Sequence, residues 1–197
     1  MPHHAKNLAL SGLDHDRGLE EINRELLMQR HLDLHREGND LWICAGRMSY
    51  AARIAQMDIL IRGGVHRKFP RGFALDEGAC QVFAEQALKL NMADWTRFLE
   101  NRLLVLLEAQ NPETVANRTL RRRSDWAEQN QFKHPASPEQ IMAQAARSIQ
   151  IYSDFVDRAE RSGTPLLRLS AEAHRDENRT RIMEFEARAS VILIGSC

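Results

Sequence analysis

Apolar residues recur every three or four positions through most of this 197-residue chain, which is the spacing of one face of an α-helix. The pattern is clearest between Ser137 and Pro165. Residues 137–140 (Ser-Pro-Glu-Gln) form a capping box with proline at the first helical position, and Gly163 before Pro165 is a typical helix end. The apolar face between these signals consists of Met142, Ala145, Ile149, Tyr152, Val156 and Ala159. An amphipathic helix is therefore predicted over 138–161.

The same spacing predicts further helices on both sides of this segment. They run from Asp14 to about Arg36, from Asp40 to the glycines at 63 and 64, from Leu75 to Gln110, and onward from Ser170. Asn111, Pro112 and Glu113 supply a cap, a first-turn proline and a first-turn acid, so a helix restarts there in a new direction. The predicted fold class is all-α: a bundle of five to seven amphipathic helices with a long central helix and a proline-marked corner.

The length and the apolar content favour one domain with a core of its own. A chain of 197 residues that is 43% hydrophobic can bury enough surface to fold without disulfides or metals. We expect residues 1–13 to form a flexible arm and residues 14–197 a single helical domain. Its parts are an N-terminal helical pair (14–62), a basic loop (63–74), central helices (75–162), and a C-terminal helix and tail (166–197).

Charge and cysteine content restrict the functional classes. With 27 basic and 27 acidic residues, the chain has no net positive field that would attract nucleic acid or anionic lipid over its whole surface. Three cysteines, no C-x-x-C pair and no apolar N-terminal signal favour a reducing, cytoplasmic location. The apolar run Leu103–Leu107 is far shorter than the roughly 20 residues that cross a bilayer, so no transmembrane segment is predicted.

No catalytic signature is visible in the sequence. It has no glycine-rich phosphate loop, no G-x-S-x-G turn and no zinc-spaced cysteine set. His31 and His35 lie four residues apart and could share a metal, or they could be ordinary polar residues on a solvent-facing helix side. Cys44 and Cys80 have small or apolar neighbours, as buried thiols do. We expect no cofactor and a non-enzymatic chain, with a small helical metalloprotein or enzyme as an alternative.

Two clusters of basic residues could bind phosphate groups. The first belongs to a loop with Phe69 and Phe73, and the second to the helix after Pro112. Their members are Arg62, Arg67, Lys68 and Arg71 in the first cluster, and Arg118, Arg121, Arg122 and Arg123 in the second. Since 23 of the 27 basic residues are arginine, some clustering arises from composition alone. A nucleic-acid-associated or regulatory protein is therefore an alternative and not the favoured function.

The most apolar part of the predicted central helix is a candidate contact surface. In a helix, the run 103–107 would be apolar on every side, so it must be buried all round or face an apolar partner. The residues that we expect to contact an apolar surface or partner helices are Trp95, Phe98, Leu99, Leu103, Leu106 and Leu107.

The segment from about Ala84 to Arg161 resembles the phasins, helical proteins that coat polyhydroxyalkanoate granules in bacteria. The similar features are an aromatic and arginine-containing helix (Trp95–Arg102) leading into an apolar run, a Pro-Glu corner at 112–113, and two further helices. Residues 1–75 have no counterpart in the resemblance, and the helix after Pro112 is unusually rich in arginine. The resemblance implies a non-enzymatic protein that binds the polyester surface or partner helices and forms homo-oligomers, with no catalytic residues to transfer.

Overall fold

The computed structural model describes residues 17–37, 41–62, 78–109, 111–130 and 137–194, with the side chains of 17, 42–43, 122–130 and 189–194 left aside. The helices are α1 (Arg17–Arg36), α2 (Leu41–Arg62), α3 (Ala79–Val82), α4 (Ala84–Ala87), α5 (Met92–Leu99), α6 (Pro112–Asn130), α7 (Pro138–Arg161) and α8 (Arg175–Ile194). Two short strands are β1 (Leu104–Glu108) and β2 (Leu166–Ser170). The described part is mostly helical, which confirms the all-α class, with one helix more than the predicted maximum of seven.

The chain divides into two compact units, whereas the sequence favours one domain over 14–197. The N-terminal unit is Met1–Ala87 and contains α1 to α4. The C-terminal unit is Leu88–Cys197 and contains α5 to α8 with both strands. Among the described residues, none of the helices has the length and apolar content needed to cross a bilayer.

The N-terminal unit is built on contact between α1 and α2. Leu19, Ile22 and Leu26 of α1 are buried, as their spacing predicts. On α2 the apolar spacing predicts a buried face of Leu41, Ala45, Met48, Ala52, Ala55 and Ile59. The observed buried side differs by about one position and consists of Cys44, Ala51, Ile54, Ala55 and Asp58, whereas Leu41 is 74% exposed. The polar side chain of Asp58 enters this core because Asn23 Nδ2 donates to its Oδ2 at 3.3 Å. Hydropathy alone would place Asp58 outside, so the predicted face was wrong.

The long central helix predicted over 75–110 is replaced by three short helices and strand β1. Asn91 begins α5, with its side chain accepting from Asp94 N–H at 3.0 Å. After Leu99 the chain leaves the helix, and Asn101 adopts a left-handed conformation with φ of 57°. The run after it is extended because β1 pairs in parallel with β2, Leu104 lying beside Leu166 and Glu108 beside Ser170. A local apolar run does not reveal such a distant partner.

The proline corner and the capping box are confirmed. Pro112 begins α6, and the Asn111 side chain accepts from Glu113 N–H at 2.8 Å, although the element before the corner is β1 and not a helix. Ser137 Oγ accepts from Gln140 N–H, and Gln140 Oε1 accepts from Ser137 N–H. Helix α7 ends at Arg161 with Ser162 as its C-cap, and Gly163 follows with φ of +79°. The two helices α6 and α7 then pack together through Ala116, Ile141 and Ala145.

Replacing Ser137 with alanine should lower the free energy of unfolding of the C-terminal unit by about 1 kcal/mol, because Gln140 N–H loses its acceptor. A hydrogen bond from the Ser137 side chain also lowers the pKa of Glu139. The Glu139 carboxylate therefore stabilises the fold above its usual pKa, and this contribution is lost as the pH falls through the lowered pKa. In Ser137→Ala the pKa of Glu139 should rise toward its ordinary value.

Urea unfolding and an NMR pH titration of the Glu139 carboxyl group measure the two effects. Ser153→Ala, in the middle of α7, is the matched control and should leave both the stability and the Glu139 pKa near the parent values. An unchanged Glu139 pKa in Ser137→Ala would contradict the assigned hydrogen bond.

Candidate functional site

Three apolar side chains are exposed along β1 and at Leu103, the residue directly before it. Leu103, Val105 and Leu107 are 37%, 50% and 57% exposed, while Leu104 and Leu106 between them are half-buried. The alternation follows from the pleat of a strand, which turns successive side chains to opposite sides. We call these three residues the β1 apolar side. Val105 was absent from the predicted contact residues, because it lies on the same side as Leu103 and Leu107 only when the segment is extended.

The residues of β2 that pair with the β1 apolar side are buried. Val105 pairs with Leu167 and Leu107 with Leu169, so the paired side chains lie on the same side of the sheet. Leu167 and Leu169 are 8% and 4% exposed. The residues that cover Leu167 and Leu169 of β2 therefore do not cover their partners on β1. Val105 and Leu107 remain exposed to solvent.

On the other side of the sheet, an ion cluster links both strands to α7. Arg168 of β2 donates to Glu108 at 2.7 Å and to Glu160 at 3.0 Å, and it also binds Asp157. The hydrogen bond to Asp157 is the main cause of a raised pKa for the Arg168 guanidinium. These bonds hold β1 in a fixed position relative to the rest of the C-terminal unit.

Trp95, Phe98 and Leu99, expected to be contact residues, belong to the core instead. Their exposed fractions are 0%, 0% and 4%. The Trp95 ring contacts Phe155 edge-on at 5.1 Å between centroids, and its Nε1–H donates to Ser162 Oγ at 3.0 Å. Residues enclosed in this way are not available to an external surface. The predicted contact surface is thus reduced to Leu103 and Leu107, with Leu106 half-buried on the opposite side of the strand.

Arg158 of α7 completes the surroundings of Trp95. Its guanidinium lies over the indole ring, 4.3 Å from the centroid, in a cation–π contact. The same group donates to the backbone carbonyls of Leu88 at 2.6 Å and Leu90 at 2.7 Å. This arginine therefore ties the beginning of the C-terminal unit to α7, which is a structural role that the sequence did not indicate.

The two basic clusters are only partly described. Arg118 and Arg121 are exposed on α6 in the C-terminal unit, and Arg62 is half-buried at the end of α2 in the N-terminal unit. Arg67, Lys68 and Arg71 lie outside the described residues, and so do the side chains of Arg122 and Arg123. Of the predicted basic residues whose side chains are described, only Arg118 and Arg121 lie near each other, three residues apart on α6.

In the described part of the chain, neither the histidine pair nor the cysteines belong to a cluster of metal ligands. His31 and His35 are both exposed on α1, with their rings 4.5 Å apart and nearly perpendicular. No group of three His, Cys, Asp or Glu side chains that could hold a metal occurs in the ranges that the structure describes. Cys44 is buried, with its Sγ–H donating to Leu34 O at 3.9 Å, and Cys80 is half-buried; neither forms a disulfide within the described residues.

Two polar pairs between helices of the N-terminal unit, one buried and one partly buried, were not predicted. Asn23 binds Asp58 across α1 and α2, and Gln86 Nε2 of α4 donates to Asp33 Oδ2 of α1 at 2.9 Å. The sequence did carry a signal for Asn23, which lies four residues after Leu19 on the apolar face of α1. These pairs fix how the helices of this unit meet, because the buried donors Asn23 Nδ2 and Gln86 Nε2 need acceptors once water is removed.

No family model, curated protein sequence or solved structure matches this chain. The β1 apolar side is therefore the candidate site on structural grounds alone.

Proposed function

We propose that this chain is a non-enzymatic binding protein that uses the β1 apolar side to contact an apolar surface, as a phasin-like coat of polyester granules does. The observation that supports the proposal is the solvent exposure of Val105 and Leu107 on β1 together with Leu103 directly before it. Single exposed apolar residues are common on proteins, whereas a contiguous group at the rim of a fold is typical of an interaction site.

The expected strength of the contact follows from the area that remains exposed. Complete burial of one leucine or valine side chain stabilises a complex by about 1.5–3 kcal/mol. The three side chains are between 37% and 57% exposed, so covering them contributes about 3 kcal/mol in total. Loss of translational and rotational freedom costs several kcal/mol. A single chain should therefore bind weakly.

The resemblance to phasins supports the same role, since its similar segment, 84–161, includes β1. The contact here would be made by a strand and not by the amphipathic helix that the resemblance implies, because the apolar run is extended in this fold. Arg102 next to the run forms a cation–π contact with Phe98, 5.0 Å from the ring centroid, and keeps the start of the strand in place.

Leu107→Lys should weaken binding to polyhydroxybutyrate nanoparticles about fivefold to tenfold, because one half-exposed leucine contributes on the order of 1 kcal/mol. Lysine is tolerated on the outer strand of a sheet, so the fold should persist. Co-sedimentation over a range of particle concentrations gives the affinity, and circular dichroism checks the fold.

Met183→Lys is the matched control for this experiment. Met183 is 61% exposed on α8 of the same unit, and the substitution adds the same charge at a site outside the β1 apolar side. Binding of Met183→Lys should equal that of the parent. The proposal would be overturned if the parent chain did not bind the particles, or if the two variants lost binding equally.

A further inference from the structure

Within the described ranges, one edge of the β1 backbone forms no hydrogen bonds. Leu104 N–H donates to Pro165 O at 3.0 Å, and Glu108 O accepts from Ala171 N–H at 2.8 Å. In a parallel pair, every second residue of a strand directs its backbone N–H and C=O toward the partner strand. On β1 these residues are Leu104, Leu106 and Glu108. Both backbone groups of Val105 and Leu107, and the C=O of Leu103, therefore point away from β2.

These outward groups have no hydrogen-bond partner in the described part of the chain. An open strand edge is a template for another strand, and natural proteins protect such edges with charge, proline, bulges or a covering element. On β1 the residues with outward backbone groups are the three apolar residues that are also exposed. The edge therefore combines unpaired backbone groups with apolar side chains, as in sites that bind an added strand.

We propose that a second copy of this chain docks on β1, with the two β1 strands antiparallel and centred on Val105. In this register the two Val105 residues face each other, and Leu103 lies opposite Leu107 of the second copy. All three pairs are of the hydrogen-bonded type, because each member has outward backbone groups. The result is a four-stranded sheet in the order β2, β1, β1, β2 with twofold symmetry, the commonest symmetry of protein dimers.

Charge complementarity at both ends of the strand favours a second copy as the occupant. The register centred on Val105 places Arg102 opposite Glu108 of the second copy, once at each end of the paired strands. Opposite charges in facing positions stabilise an antiparallel pair, whereas like charges destabilise it. Shifting the centre to Leu107 would place Leu103 opposite Asn111, which lies outside β1. The sequence 102–108 is thus complementary to itself in one register.

The dimer goes beyond the proposed function and does not depend on it, since the edge uses backbone groups and the surface contact uses side chains. The symmetry axis of an antiparallel pair is perpendicular to the sheet, so both β1 apolar sides face the same direction. Six exposed apolar side chains then form one patch in place of two separate groups of three. Because a dimer carries twice as many contact residues as one chain, its avidity for a particle is higher.

Sedimentation equilibrium of the full-length chain over a range of concentrations tests the pairing. Val105→Pro removes an outward N–H that the β1–β2 ladder does not use, and proline is tolerated where a strand edge faces solvent. Its dimer dissociation constant should rise at least tenfold. Val105→Thr keeps the N–H and the branched shape, so its dissociation constant should stay within about threefold of the parent value.

Cysteine cross-linking tests the register and remains decisive if Val105→Pro does not fold. Facing residues of a hydrogen-bonded antiparallel pair have Cα atoms about 5.5 Å apart, within disulfide range. Val105→Cys should therefore form covalent dimers on oxidation with diamide, above the background of the parent chain. The Cα atoms of two copies of Leu103→Cys would be about 14 Å apart in this register, and they should not cross-link.

Mixing Leu103→Cys with Leu107→Cys should produce the mixed covalent dimer, because these positions face each other. A parent chain that is monomeric at every concentration would overturn the inference, and so would Leu103→Cys cross-linking with itself as well as Val105→Cys does. Neither result bears on particle binding. A dimer that fails to bind polyester particles would instead overturn the proposed function alone.

Discussion

Trp95→Ala is expected to lower the free energy of unfolding of the C-terminal unit by about 4 kcal/mol, within the 3–5 kcal/mol range of buried aromatic truncations. Trp95 is fully buried. The substitution removes its contacts with Phe155 and Arg158 and leaves a cavity that the neighbouring helices cannot fill. Since whole domains are stable by only about 5–15 kcal/mol, a large fraction of the variant should be unfolded at modest urea concentrations.

Urea unfolding followed by circular dichroism measures the loss, and Trp95→Phe is the control. Phenylalanine keeps an aromatic ring in the core but has no N–H to donate to Ser162 Oγ. Ser162 Oγ still donates to Ala159 O at 2.8 Å, so it is not left without a partner. Trp95→Phe should therefore cost only about 1–2 kcal/mol. Equal losses in the two variants would show that the Trp95 ring is not packed as described.

Arg158→Met is the second substitution with a large expected effect, about 2–4 kcal/mol of unfolding free energy. Methionine retains most of the apolar stem of arginine. The loss of unfolding free energy in Arg158→Met therefore measures the contribution of the guanidinium group. That group donates to two backbone carbonyls and covers the Trp95 ring. Hydrogen bonds from a charged donor contribute more than neutral ones, and the carbonyls of Leu88 and Leu90 lose this donor.

Arg161→Met is the matched control for Arg158→Met. Arg161 is exposed in the last turn of the same helix, and its substitution should change the stability by no more than about 0.5 kcal/mol. Arg158→Lys distinguishes charge from geometry, because an ammonium group cannot form the same paired bonds or stack on the ring. Full stability of Arg158→Lys would contradict the importance of the paired donors.

The beginnings and ends of several helices could be predicted from the sequence. Ser137, Pro112 and Gly163 act through neighbours within about four residues, so their effect does not depend on the rest of the fold. The buried face of α1 was also predictable, because Leu19, Ile22 and Leu26 repeat with helical spacing. The same approach failed for α2, where the Asn23–Asp58 pair allows a polar residue into the core.

The candidate site could be predicted only in part. The sequence indicated that residues 95–107 are unusually apolar, but it could not separate the residues that are buried from those that are exposed. Trp95 and Phe98 are enclosed in the core, and Leu103 and Leu107 remain in solvent. The division follows from the change of backbone conformation after Leu99, which turns the spacing of a helix into the alternation of a strand.

The sequence by itself thus determined the helical class, the proline corner and the capped boundaries of α7, since each depends on interactions between near neighbours. The tertiary structure decided that 104–108 is a strand, that Val105 is exposed beside Leu103 and Leu107, and that Arg158 covers Trp95. These features depend on segments distant in the chain, such as 166–170 beside β1. A local pattern of apolar residues fits a helix or a strand equally well until such a partner supplies its hydrogen bonds.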